Sequence, residues 1–388
     1  MRFRHGDGTV VHLAYCTNVH PAEDVDGLLD QLERFAGPVR AELDVARLGV
    51  GLWLPADAAA QLVRSAPDLA RLRDGLARAG LEVVTLNAFP YASFHAPVVK
   101  HRVYRPDWTE EERLTYTLDC ARVLAAILPD DAARGSISTV PLAWRTPWSA
   151  ERHAQARTGL DRLAAGLADV ERETGRRVRV ALEPEPGCVV ETAADAAQHL
   201  SGLDPDYLGV CLDMCHMATG FEDPAASLAA LDGAGLEVVK SQLAAALHVA
   251  EPAAPASRAA LGGFAEDRFL HQVREHDGAA VRAVDDLPEA LADGGLPGER
   301  PWRVHFHVPV HAEPDAPLEG TSTYLREAAR ALVGGPRALT DHLEVETYTW
   351  SVLPAHLRPA DDAGLVAGLA AELRWTRDLL VDLGLEAL

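Results

Sequence analysis

The chain has 388 residues, 48% hydrophobic and 24% charged, a balance that suits a globular protein with a substantial core and excludes a disordered one. Its net charge of −22 argues against a polyanionic partner, because nucleic-acid binding needs clustered Lys and Arg to displace counterions. No apolar run follows Arg2 and Arg4 and none reaches the roughly 18 residues of a membrane span, while five scattered cysteines suit reduced thiols in a cytoplasm.

In chain order, short apolar runs alternate with amphipathic helical ones. Val10 to Cys16 reads as a strand, with a helix from Val25 to Phe35 behind it. Leu48 to Leu54 is a second strand, followed by a helix from Asp68 to Ala79. Leu81 to Ala88 and the helix Glu110 to Leu128 come next, then Gly135 to Leu142 and Ala150 to Thr174. Arg177 to Glu183, Leu208 to Asp213 and Glu237 to Gln242 are a fifth, sixth and seventh strand. Trp302 to Val308 and His342 to Thr347 follow, with a closing helix near Ala363 to Leu383. Such alternation predicts parallel strands covered by helices, an α/β barrel in one domain spanning residues 1–388. A closed (β/α)8 barrel needs eight strands and nine are read, so either the first run or Trp302 to Val308 lies outside. Glu251 to Gly263 and Asp293 to Pro301 read as loops and bracket an insertion, residues 251–301, between the seventh strand and the one at 302–308.

Strand side chains alternate between two faces, so parity sorts them. Glu183 and Glu185 share a face with Ala181, and Asp213 shares one with Cys211. Lys240 and Gln242 oppose Val239, Ser241 and Leu243; His305 and His307 oppose Val304, Phe306 and Val308; His342, Glu344 and Glu346 oppose Leu343 and Val345. The apolar sets are expected to face the helices and the polar sets the barrel interior, converging at the C-terminal mouth. Any one strand-end carboxylate is explained by a buried salt bridge. Several strands doing this together predict a divalent cation, since crowded carboxylates repel unless compensated, and Glu, Asp, Gln and His suit Mn²⁺, Mg²⁺, Co²⁺ or Zn²⁺.

Asp213-Met214-Cys215-His216 sets a carboxylate at a strand end and an imidazole three residues later, both able to reach one ligand. Cys211 and Cys215 have no second cysteine pair nearby and read as buried thiols, not zinc ligands. The aromatic-rich loop Asn87 to His95 could line a pocket, with His95 in it, although packing also accounts for its rings. His20 reads as either a pocket residue or a solvated loop histidine. Lys100 and Arg102 could hold an anion, although surface cations are the commoner case.

Leu182 to Gly187, Leu212 to His216, Val239 to Gln242 and Leu343 to Tyr348 resemble the strand ends of the xylose isomerase-like TIM barrels. More narrowly, Tyr15 to His20, Phe89 to His95, His305 to Val310 and Leu343 to Trp350 are similar to the EboE "metabolite traffic" family. The resemblance implies a metal held by Glu183, Asp213, Gln242 and Glu346, with Glu185 and Glu344 as in-phase alternatives. It implies an isomerase or epimerase acting on a sugar-, polyol- or cyclitol-like metabolite, in a secondary-metabolite pathway. Catalysis would fall to Glu183, Glu346 and His216, and substrate contacts to His20, His95, Glu185, His216, His305, His307 and Glu344. The competing expectations are a non-catalytic barrel that binds or hands on a metabolite, and a metal-dependent hydrolase of the endonuclease branch, which the acidic charge opposes. A small-molecule substrate is the expected partner; the sequence does not give an oligomeric state.

Overall fold

A computed structural model of the protein describes residues 1–278 and 280–388. Eight parallel strands close into a barrel: β1 (Val10–Cys16), β2 (Leu48–Trp53), β3 (Leu81–Asn87), β4 (Gly135–Thr139), β5 (Val178–Leu182), β6 (Leu208–Asp213), β7 (Val238–Leu243) and β8 (His342–Val345). Closure comes from β8 against β1, with Leu343 opposite Leu13 and Val345 opposite Tyr15. The helices between strands start and stop where local chemistry requires. Ser65 accepts a hydrogen bond from Asp68 N at the start of Ala66–Ala79, and Gly80 ends it with φ 67°, a conformation that costs a residue without a Cβ little. Ser149 and Gly175 frame Ala150–Thr174 in the same way.

The ninth candidate strand lies outside the barrel. Trp302–Val308 belongs to an antiparallel sheet with Ala245–Val249, Val273–His276, Val281–Val284 and Glu319–Gly320. Both expectations about the insertion need correcting. Its ordered structure extends on both sides of 251–301, and the stretch read as a loop from Glu251 contains the helix Pro255–Gly262, where Pro sits in the first turn and gives up an N–H that has no helical partner. Ala244 alone separates β7 from Ala245–Val249, so the chain passes directly from the barrel wall into the second sheet.

Parity fails at one place. Val239 was expected to face the helices, yet it packs with Ala181 and Cys211 inside the barrel. The β6–β7 register slips there, Val210 lying opposite Val238 while Cys211 lies opposite Lys240, and an extra residue in one strand shifts the side-chain alternation. Lys240 also points inward, donating to Glu344 Oε2 at 2.6 Å and to Leu86 O at 3.4 Å. Gly51 makes room for this pair: a Cβ there would lie 1.4 Å from Glu344 Oε1.

Candidate metal and substrate site

The barrel carboxylates meet at the ends of β5, β6 and β8. One oxygen from each of Glu183, Asp213 and Glu346 lies within 4.8 Å of the other two. Asp213 Oδ1 accepts from Cys215 N (2.6 Å) and His216 N (3.0 Å) as it caps the short helix Met214–Thr219, so its position is fixed by backbone and Oδ2 is left without a partner. Glu346 Oε1 accepts from the amides of Asn18 (2.6 Å) and Asn87 (2.8 Å). Gln242 is paired in register with both Asp213 and Glu344, and neither of its amide atoms has a partner although the side chain is buried.

Three imidazoles approach the same place. The Nδ1–H of His216 donates to Pro184 O at 2.8 Å and that of His307 to Glu346 O at 2.7 Å, because a carbonyl can only accept. His305 Nδ1 donates to Gln272 Oε1 at 2.7 Å, while the Gln272 amide nitrogen donates to Pro186 O (2.8 Å) and Tyr104 Oη (3.0 Å). Tyr104 in turn donates to Glu185 Oε1 at 2.9 Å, and Glu185 Oε2 lies 3.0 Å from His216 Nε2.

Burial dominates the electrostatics. It lifts the Glu183 carboxyl to about 7, with Glu344 adding to the rise and Lys240 opposing it. Burial first, and then the neighbouring carboxylates, push Glu185, Asp213 and Glu346 above the usual carboxylate range. His216 and His305 are pushed down by burial and by neighbouring imidazoles, and burial lowers His307 to about 4. Neutral imidazoles and proton-holding carboxyls are what a desolvated acidic cluster adopts when no cation offsets its charge.

Glu183, Glu346 and the three imidazoles open onto a narrow cleft with an aromatic wall that includes Phe89, Phe94, Tyr104, Phe269 and Tyr348. A model of the family described as xylose isomerase-like TIM barrel matches residues 45–277. The chain belongs to that family. No curated protein matches it. Among solved structures, this xylose isomerase-like barrel is similar to a D-psicose 3-epimerase (14% identity, 95% of this chain and 99% of that one, TM-score 0.49). It is also similar to an IolI protein with a bound zinc atom (14%, 96% and 98%, 0.47) and to a D-allulose 3-epimerase from Methylomonas sp. (19%, 62% and 74%, 0.42). Among the described residues, no helix is long and apolar enough to cross a membrane.

The barrel gathers most of the residues singled out in the sequence and leaves others aside. Glu183, Glu185, His216, His305, His307 and Glu346 line the cleft. Glu344 does not; it is bound to Lys240 inside the barrel, which separates its role from that of Glu346. His20 is also absent from the lining, stacked on Phe35 at 4.2 Å between ring centroids and 3.3 Å from Tyr15 Oη. His95 lies behind the wall, its Nε2–H donating to Asn18 O at 2.8 Å. Lys100 reaches the rim, where it pairs with Asp286 at 2.5 Å. Sequence reasoning missed Asn18, Tyr104 and Gln272. Asn87 opens the stretch read from the sequence as able to line a pocket, and it does line the cleft.

Proposed function

We propose that this protein is a divalent-metal-dependent isomerase or epimerase acting on a sugar-, polyol- or cyclitol-like metabolite. The observation that carries this reading is the trio Glu183, Asp213 and Glu346 with mutually close oxygens, beside a Gln242 whose buried amide has no partner. Hard oxygen ligands of this kind fit Mn²⁺, Mg²⁺, Co²⁺ or Zn²⁺. Such an ion would polarise adjacent substrate oxygens and stabilise negative charge on them.

The chain's own groups supply the rest. Glu183, whose carboxyl burial raises to about 7 before any cation binds, is the trio's candidate for taking a proton. Glu183 would remove a proton from a carbon next to a carbonyl, the C–H electron pair moving into that carbonyl. Glu346, on a different strand, would return a proton to the carbon that receives it. His216, with its Nδ1 committed to Pro184 O, presents Nε2 to a substrate hydroxyl. The resemblance of Tyr15 to His20 and His305 to Val310 to the EboE family is what supports a place in a secondary-metabolite pathway.

The test is proton exchange. Protein loaded with Mn²⁺ or Mg²⁺ is incubated in heavy water with a panel of ketoses, cyclitols and their phosphates, and substrate C–H signals are followed by NMR. Exchange that is lost in Glu183→Gln and Glu346→Gln is expected. Tight binding of a panel member without exchange or turnover would replace this reading with that of a metabolite-binding barrel.

A further inference from the structure

We infer that Glu372 is a positioning residue for the candidate site: from the closing helix Asp362–Asp382 it grips the chain just beyond Glu346 and just beyond His307, and so fixes those two groups against each other. What Glu346 and His307 do rests on the reading above; what Glu372 does to them rests on geometry alone.

The Glu372 side chain is fully buried, on a helix face it shares with Leu369, Leu373 and Leu380. Its Oε1 accepts from the Thr347 hydroxyl (2.6 Å) and from Val310 N (3.1 Å), and its Oε2 from Trp350 Nε1 (3.2 Å). Thr347 directly follows Glu346, and Val310 comes three residues after His307. The same two stretches are joined a second time: His307 Nδ1–H donates to Glu346 O at 2.7 Å, and the Thr349 hydroxyl donates to His307 O. A closed ring of bonds results, running from Glu372 through Thr347 and Glu346 to His307 and back through Val310. The bond from Trp350 holds the 3₁₀ turn Tyr348–Ser351, whose Tyr348 lines the cleft. Gly368, one turn earlier on the closing helix, lets the indole reach this far, since a Cβ there would lie 2.6 Å from Trp350 Cη2.

Burying a carboxyl is costly, and burial pushes that of Glu372 up to about 7 against the pull of these three donors. Apolar side chains in place of Glu372, Thr347 and Trp350 would hold the fold about as well, because removing both partners of a buried hydrogen bond is nearly neutral. The carboxylate is therefore explained by what its bonds hold in place. An ionised carboxylate is acceptor-only and meets all three donors at once. An amide has a single acceptor oxygen and must turn its NH₂ toward either Trp350 Nε1–H or Val310 N–H. Glutamine at 372 keeps the shape and opens the ring.

NMR of the metal-free protein with ¹⁵N-labelled histidine reads the effect without substrate. The His307 Nδ1–H resonance, identified by its loss in His307→Gln, should exchange with solvent about tenfold faster in Glu372→Gln, the factor that one lost hydrogen bond makes in a local opening. The Nδ1–H of His216, held by Pro184 O and apart from the ring, should keep its rate. Glu372→Gln/Trp350→Phe, which removes the donor facing the amide, should bring the His307 rate back toward that of the wild type. Thr347→Val has nearly the same shape and should show the same acceleration, and it decides the matter if Glu372→Gln does not fold. An unchanged His307 rate, or equal acceleration of His307 and His216, would overturn the positioning role. The expected rates together with tight substrate binding but no C–H exchange would overturn the isomerase reading and leave the role of Glu372 standing.

Discussion

Asp213→Asn separates the electrostatic cost of the carboxylate trio from its use. The substitution keeps Oδ1, and with it the cap on Cys215 N and His216 N, and removes only the charge. In the wild type the three oxygens lie within 4.8 Å of one another, so each ionised pair repels by about 3.5 kcal/mol at an effective dielectric near 20. Keeping one glutamate protonated at pH 7, against its ordinary value of 4.5, costs about 3.4 kcal/mol. Protonating one of the three relieves two such pairs, about 7 kcal/mol, which exceeds that cost, so a site of this shape should retain a proton at neutrality, and burial places Glu183 at about 7. Asn at 213 removes two of the three repulsive pairs. Since a retained proton already relieves part of that, a gain of about 2–3 kcal/mol is expected for the metal-free protein at pH 8, or roughly 3 °C in Tm for a chain of this length. Metal should reverse the order. A ligand at a thousand times its Kd stabilises the wild type by about 4 kcal/mol, and the variant should gain little of this. Differential scanning calorimetry with chelator and with Mn²⁺ measures both. A variant that melts below the wild type in chelator, or that keeps the full metal-induced rise, would refute the reasoning.

Two further outcomes follow from the same interior. Because ligation needs the Glu183 carboxylate, held up to about 7, and those of Asp213 and Glu346, also pushed up by burial, apparent metal affinity should climb about tenfold per pH unit for each proton displaced from pH 5 through 7; an indicator-competition titration with a pH-independent Kd would contradict carboxylate ligation. Lys240→Met leaves Glu344 buried and unpaired and should cost about 3–5 kcal/mol by urea denaturation, most of it recovered in Lys240→Met/Glu344→Leu, because a buried ion pair exceeds apolar packing only when one partner alone is removed.

Alternation made the carboxylates readable because β5, β6 and β8 lie regularly in the wall, so counting by twos from Ala181 or Cys211 arrives at Glu183 or Asp213. The same count fails at Val239, where a register slip lets two successive residues of β7 turn inward. It also separated Glu183 from neither Glu185 nor Glu346 from Glu344, since residues two apart share a face whatever their depth. Depth decides the second pair: Glu344 meets Lys240 and the gap over Gly51, one layer below the cleft.

The histidines show a different limit. Parity correctly set His305 and His307 opposite Phe306, which packs against Phe264 at 5.1 Å, but parity says which residues share a side and not which sheet holds them. Val281–Val284 carries mostly exposed residues and Val273–His276 carries two charges, so neither offers a periodic apolar signal, and without them Trp302–Val308 reads as one more barrel strand. Gln272, which fixes the His305 tautomer, precedes one of those unreadable strands. What joins the two halves of the site is the single-residue link at Ala244, which carries the chain from the barrel mouth straight into a sheet that must then lie over it. Acidic oxygens from the wall and neutral imidazoles from the cover therefore meet in one desolvated space, where each group's unpaired atoms are the other's nearest polar neighbours. Neither sheet alone would leave so many buried donors and acceptors unsatisfied.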